Sequence, residues 1–163
     1  MIRFLVTATM TGFFAFAGPA TASDDDHDHH LSELHGVKAI HAWTRATSDD
    51  HALVFVEIEN ETDKEVILLG GEADNAGSVD LVGFQLVDGK AVYTPLPQVP
   101  VAAGSELHLE PEALAMRLEG LTGKLEKGQE FEMEIEFDIG HMDVHVTIEA
   151  ADAKTHSHAG HAH

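Results

Sequence analysis

The 163-residue chain has no cysteine, one tryptophan, one tyrosine and only nine lysines and arginines, against 29 aspartates and glutamates. Without cysteine there is no disulfide framework and no thiolate metal site, so any soft ligation falls to the five methionines. The scarcity of cationic side chains, with a formal net charge of −20, excludes nucleic acid and anionic membrane surfaces as partners, because Lys and Arg must neutralise phosphate there. Cations are the natural partners of such a surface. Nucleophile elbows, His-Glu-x-x-His helices and phosphate-cradling glycine loops are also missing, so no catalysis is expected. Nor does any apolar run reach the roughly 20 residues of a membrane span. The longest, Phe4 to Phe16, follows Arg3 and is soon broken by Gly18-Pro19.

That run, followed by Ala20-Thr21-Ala22, reads as a secretory signal peptide over residues 1–22, cleaved before Ser23. The expected product is a periplasmic, monomeric protein with no membrane insertion once the signal is removed. Its organisation reads as a His/Asp-rich segment at 23–35, one domain at 36–151 and a His-rich tail at 152–163.

Histidine is what the chain has in excess. Eight of its thirteen histidines lie in the end segments: His27, His29, His30 and His35 at the start, and His156, His158, His161 and His163 at the finish. Imidazole is the commonest protein ligand for copper, zinc and nickel, and Asp24, Asp25, Asp26 and Asp28 add carboxylates beside the first group. These eight are the expected metal ligands. Further candidates lie in the domain: His51 after Asp49-Asp50, and His141, Met142 and His145 near a turn. His141 and His145 share a strand parity, but four residues of strand separate them by about 13 Å, so they do not chelate one ion together. His41 is expected to be structural and His108 to be an inert surface residue of a strand.

Between the ends the pattern is β. Phe131 to Phe137 alternates apolar and acidic residues, and Val144, Val146 and Ile148 alternate with Asp143, His145, Thr147 and Glu149. Period two with one polar face means half-buried strands. Ile139-Gly140-His141-Met142 reads as the turn between them. Other strands are expected around Val37–Trp43, Ala52–Glu59, Val66–Leu69 and Val79–Val87, with Asp88-Gly89 as a hairpin turn. Pro95, Pro97 and Pro100 mark a crossing loop. Glu112–Leu118 alone has a helical look.

The ordered set His41-Ala-Trp43-Thr-Arg45-Ala-Thr47, Val79-Asp-Leu81, Val101-Ala-Ala-Gly104, Leu118-Glu-Gly120-Leu121 and Leu125-Glu-Lys-Gly128 before Phe131 resembles the periplasmic copper chaperones of the PCu(A)C family. The resemblance covers residues 36–150. It implies an all-β, cupredoxin-like Greek-key barrel or sandwich, here with disordered His-rich N- and C-terminal segments. It also implies a copper site of paired His-x-Met motifs, but the matching positions read Val82-Gly83-Phe84, Tyr93 and Ala115-Met116-Arg117. The chain is therefore expected to be a divergent member without the usual ligands, with Met116 filling the core. Imidazole and carboxylate suit Cu(II), and also zinc, better than Cu(I). The function implied is an exported copper carrier or chaperone that collects the ion through its His-rich ends and hands it to a copper-requiring recipient. The alternatives are a zinc or nickel buffer on the same fold, or a metal-free interaction module.

Overall fold

The computed structural model describes residues 30–156. Eleven strands run through them without a helix: β1 (Leu31–Leu34), β2 (Val37–Arg45), β3 (His51–Asn60), β4 (Val66–Glu72), β5 (Ser78–Val87), β6 (Lys90–Pro95), β7 (Val99–Val101), β8 (Ser105–Leu109), β9 (Leu114–Glu119), β10 (Glu130–Phe137) and β11 (Gly140–Glu149). Neighbours follow the order β2, β11, β10, β4, β5, β9, β3, and β3 pairs back to β2, which closes a seven-stranded barrel. The remaining strands attach at its rims: β1 on β2, β8 on β3, β6 on β5 and β7 on β4.

Alternation along each strand explains the closure. Val37, Ala39, Val54, Val56, Ile58, Leu68, Met116, Leu118, Met133, Ile135, Val144 and Val146 all point inward and form one buried core, while Glu132, Glu134 and Glu136 take the outer face of β10. A barrel also leaves few unpaired ladder edges. Where β4 meets β10, a Cβ on Gly71 would collide with the carbonyl oxygen of Glu134, so only glycine fits that crossing.

Three local expectations are corrected. Glu112–Leu118 is not helical but mostly β9, wedged between β3 and β5 with both Ala115 and Met116 buried. The turn before the last strand is Asp138–Ile139, so His141 and Met142 lie on β11. Met142 is 3% exposed in the core, which removes it as a surface ligand. The proline-rich crossing contains β7, a rim strand where Pro100 faces Ile67, a position that tolerates the missing N–H. The Asp88-Gly89 hairpin is present, with φ of 52° and 74°.

The expected end segments are partly described. Leu31–Leu34, within the segment 23–35, forms β1 and pairs with β2 in antiparallel register, and 152–156 lies against the barrel as set out below. His27, His29, His158, His161 and His163 fall outside the described residues.

Candidate metal centre

The site begins with a change of partner along one edge of β2. The first half of that edge is taken by β1, with Leu31 opposite Ile40. The second half is taken by β11 in parallel, with Trp43 opposite Thr147. On the other edge the register with β3 slips between Ile40 and Trp43. His41 sits in this bulge with φ of 53°, a left-handed conformation that costs a non-glycine residue about 1–3 kcal/mol. Its N–H donates to the His30 carbonyl at 2.8 Å, which holds the residue before β1 against the bulge. Bulges re-aim side chains and are over-represented beside functional sites.

The other end of the chain arrives from β11. Past Glu149 the backbone turns through a bond from the Ala153 N–H to the Ala150 carbonyl at 2.9 Å. Arg45 Nε donates to the Ala153 carbonyl at 2.6 Å, and its guanidinium lies 6.0 Å from the Trp43 ring and 5.6 Å from the Phe55 ring. Ala153 packs on an apolar cluster outside the barrel formed by Trp43, Phe55, Val82 and Ala115. This path brings His156 back to the bulge, where it is only 9% exposed. Arg45→Ala removes a charge-assisted bond and the stem that covers Trp43. Amide exchange at Ala153 should rise at least about 10-fold, the equivalent of 1.4 kcal/mol, while the β10–β11 amides stay protected; unchanged exchange at Ala153 would show that Arg45 does not hold the segment.

Three imidazoles meet here. Ring centroids are 5.9 Å apart for His30 and His41, 5.3 Å for His30 and His156, and 5.2 Å for His41 and His156. His156 Nδ1 lies 3.2 Å from Oε1 of Glu149, whose side chain is itself buried. Beside them runs a groove lined by His41, Trp43, Glu57, His108, Glu110 and His156. Glu57 and His108 of its lining, together with Glu106, each bring one ligand atom within 4.8 Å of the others, with Glu106 and His108 exposed.

Of the ligands expected from sequence, His30 and His156 come together and His35 does not join them. His35 forms the β1–β2 turn with Gly36, at φ of 51° and 86°, and the length of β1 separates it from His30. His51 lies at the start of β3 beside Asp50, at 3.3 Å. His141 is exposed and 2.9 Å from Glu134, and His145 faces Glu132 in the β10–β11 register. His145 precedes Thr147 by two residues, as His41 precedes Trp43, the parallel partner of Thr147, and it lies on the strand that carries Glu149. His41, expected to be purely structural, is the residue around which the cluster is built. Its one sequence signal is a parity break: Val37 and Ala39 point inward at odd numbers, Ala42 and Thr44 at even ones.

Val82, Ala115 and Tyr93, where the resemblance would place ligands, belong to the apolar cluster under the 150–156 segment, and Val82 faces Ala115 in register. Arg117 is ion-paired with Glu119 at 2.9 Å.

A family model described as "LpqE-like: Putative lipoprotein LpqE-like" matches residues 37–151. A protein of Leifsonia xyli subsp. xyli, described as putative lipoprotein Lxx21020, is 27% identical over 106 residues, which is 64% of this chain and 64% of the relative. The chain thus matches less than two thirds of that relative's length. Among solved structures, the apo PCuAC domain of PmoF2 superposes with a TM-score of 0.65 at 20% identity, covering 77% of this chain and 98% of that one. The copper-bound PCuAC domain from PmoF2 gives 0.63 at 18%, over 74% and 98%. Cu(I)-DR1885 from Deinococcus radiodurans gives 0.53 at 19%, over 70% and 78%. At such identities the likeness establishes the fold, a cupredoxin-like β-barrel.

Proposed function

Since the chain belongs to the LpqE-like lipoprotein family, we propose that it is an exported copper-binding protein, a carrier or chaperone that collects the ion with histidines at both ends of its chain and passes it to a copper-requiring recipient. One observation supports this most: His30 and His156, one from each end segment, lie 5.3 Å apart ring to ring on the same patch of the barrel. Solved domains of the same fold bind copper, as the copper-bound PmoF2 domain and Cu(I)-DR1885 do. The signal-like residues 1–22 and the lipoprotein family name agree with export to the periplasm.

The ligand chemistry favours Cu(II). Met116, Met133 and Met142 are 0%, 2% and 3% exposed inside the barrel, so no thioether of the described residues reaches the surface, and imidazole and carboxylate are left. Transfer would proceed by ligand exchange: imidazoles at the ends take up the ion, and a recipient with higher affinity replaces them one at a time. Because only neutral imidazole binds a metal, uptake releases protons and weakens in acid. A zinc or nickel buffer is the second reading, favoured by the mixed Glu57–Glu106–His108 group.

The test is competition of the protein lacking residues 1–22 against chelators of known affinity, with Cu(I), Cu(II) and Zn(II). The expected result is Cu(II) binding tighter than about micromolar, or about −8 kcal/mol, that excess zinc fails to displace. Absence of copper binding at that level would end the reading, and equal competition by zinc would turn it into buffering.

A further inference from the structure

We propose that His30, His41 and His156 form an ordered three-imidazole Cu(II) site, positioned by Glu149, that fastens both end segments of the chain to the bulge of β2. The proposal rests on the copper reading above and goes further than it. It turns the end histidines from loose collectors into an anchored site whose occupancy closes the molecule.

The spacing fits one ion. With imidazole nitrogen about 2.0 Å from the metal and the ring centroid roughly 1 Å beyond it, two ligands hold their centroids about 4.5 Å apart at the right angle that Cu(II) prefers, and about 5–5.5 Å apart at a tetrahedral or trigonal angle, the geometry of a distorted Cu(II) site. Two of the three separations, 5.2 and 5.3 Å, lie in that window and the third, 5.9 Å, lies just above it. The His41 and His156 planes are 22° from parallel, so bringing their nitrogens to one point takes a turn about χ2, a soft and broad torsion for histidine.

Each ligand comes from a different element, and each is held by contacts of its own. His41 is fixed by the bulge and its left-handed backbone. His30 is held to it by the 2.8 Å bond between its carbonyl and the His41 N–H. His156 is delivered by the segment that Arg45 grips at Ala153. The buried Glu149 carboxylate lies 3.2 Å from His156 Nδ1, where it can steady that ring as a carboxylate does behind a metal-bound histidine. Three nitrogens with a position open toward the groove leave room for water or for a ligand from a recipient. Half-buried Glu57 and exposed His108 on the same groove, with exposed Glu106 beside them, stand where an arriving cation would meet carboxylates.

The experiment separates this site from the other end histidines. In the protein lacking residues 1–22, His27, His29, His158, His161 and His163 are changed to Asn, and Cu(II) is titrated with electron paramagnetic resonance as readout. One tight Cu(II) with a nitrogen-rich spectrum is expected to remain. Adding His41→Asn should weaken it on the order of 10- to 100-fold and change the spectrum, because Asn tolerates the left-handed backbone while removing the imidazole. His156→Ala should do the same. Glu149→Gln should cost about 10-fold while keeping the spectral type, as expected of a positioning residue, and Glu149→Asp should restore part of the loss. Copper should also slow amide exchange in β1 and at Ala153 together, which independent tail binding would not do.

If the five-Asn protein binds no copper while the parent does, or if His41→Asn leaves affinity and spectrum unchanged, the three-histidine site is wrong and the copper reading survives. If the parent itself binds no copper, both fall. Far-UV circular dichroism of every variant confirms that the barrel is folded.

Discussion

Replacing Phe55 with alanine should lower the free energy of unfolding by about 3–5 kcal/mol, seen as a drop in urea midpoint and in Tm of roughly 10 °C or more. Phe55 is fully buried, yet it does not point into the barrel. It lies on the outer face of β3, with its ring centroid 4.8 Å from that of Trp43, between Trp43 on β2 and Ala115 on β9 and beside the Arg45 guanidinium. Removing the ring opens a cavity with Trp43 on one side and the 150–156 segment above. The barrel's own core, on the other side of the sheet, stays intact. The loss should therefore be accompanied by faster exchange at Ala153 and weaker copper binding, since the support of His156 passes through Trp43 and Arg45. A destabilisation below about 1 kcal/mol, the level of an ordinary surface substitution, would show that this outer cluster is not a packed layer.

Where the alternation was unbroken, the sequence made the fold readable. Phe131 to Phe137 and Val144 to Ile148 form β10 and β11, and the acidic residues between them take the solvated face. Asp88-Gly89 turns the hairpin it predicts. Glu112–Leu118 was misleading because Glu, Ala, Leu and Met favour helix in isolation, and nothing local shows that β3 and β5 leave a slot between them that only a strand fills. β1 was hidden because its four residues, Leu31–Leu34, sit in a segment read for its histidines.

The candidate site is half legible for the same reason. Clustering at the chain ends pointed to His30 and His156, but His35 was grouped with His30 on nearness in sequence, and β1 pulls the two apart. His41 stood in a strand that looked regular, and only the shift of inward parity between Ala39 and Ala42 betrayed the bulge. Glu149 read as one more acidic residue of an alternating strand. Its burial beside His156 depends on the path of residues 150–156, which no local pattern specifies.

Stability and metal binding should come apart at Asn60. This residue is 1% exposed. The two N–H groups of its Nδ2 donate to the carbonyls of Lys64 and Val101 at 2.8 and 2.9 Å, one of them shared with that of Ala102 at 3.2 Å, and its Oδ1 accepts from the N–H and the hydroxyl of Thr62 at 3.1 and 2.7 Å. One amide thus ties the end of β3 to the following turn and to the end of β7. Asn60→Ala leaves several of these groups without a partner, and the expected cost is about 3 kcal/mol in chemical unfolding. Asn60 faces Val37 in the β2–β3 register, four residues of strand or roughly 13 Å from His41. Well below its melting temperature the variant should therefore bind copper as the parent does, whereas Arg45→Ala, which barely touches the core, should weaken binding. If Asn60→Ala lost copper affinity in proportion to its loss of stability, the ends of the chain would be ordered only by the global fold. Unchanged affinity would mean that the bulge, the Arg45 grip and the Glu149 carboxylate order them locally, as a site that closes around its ion requires.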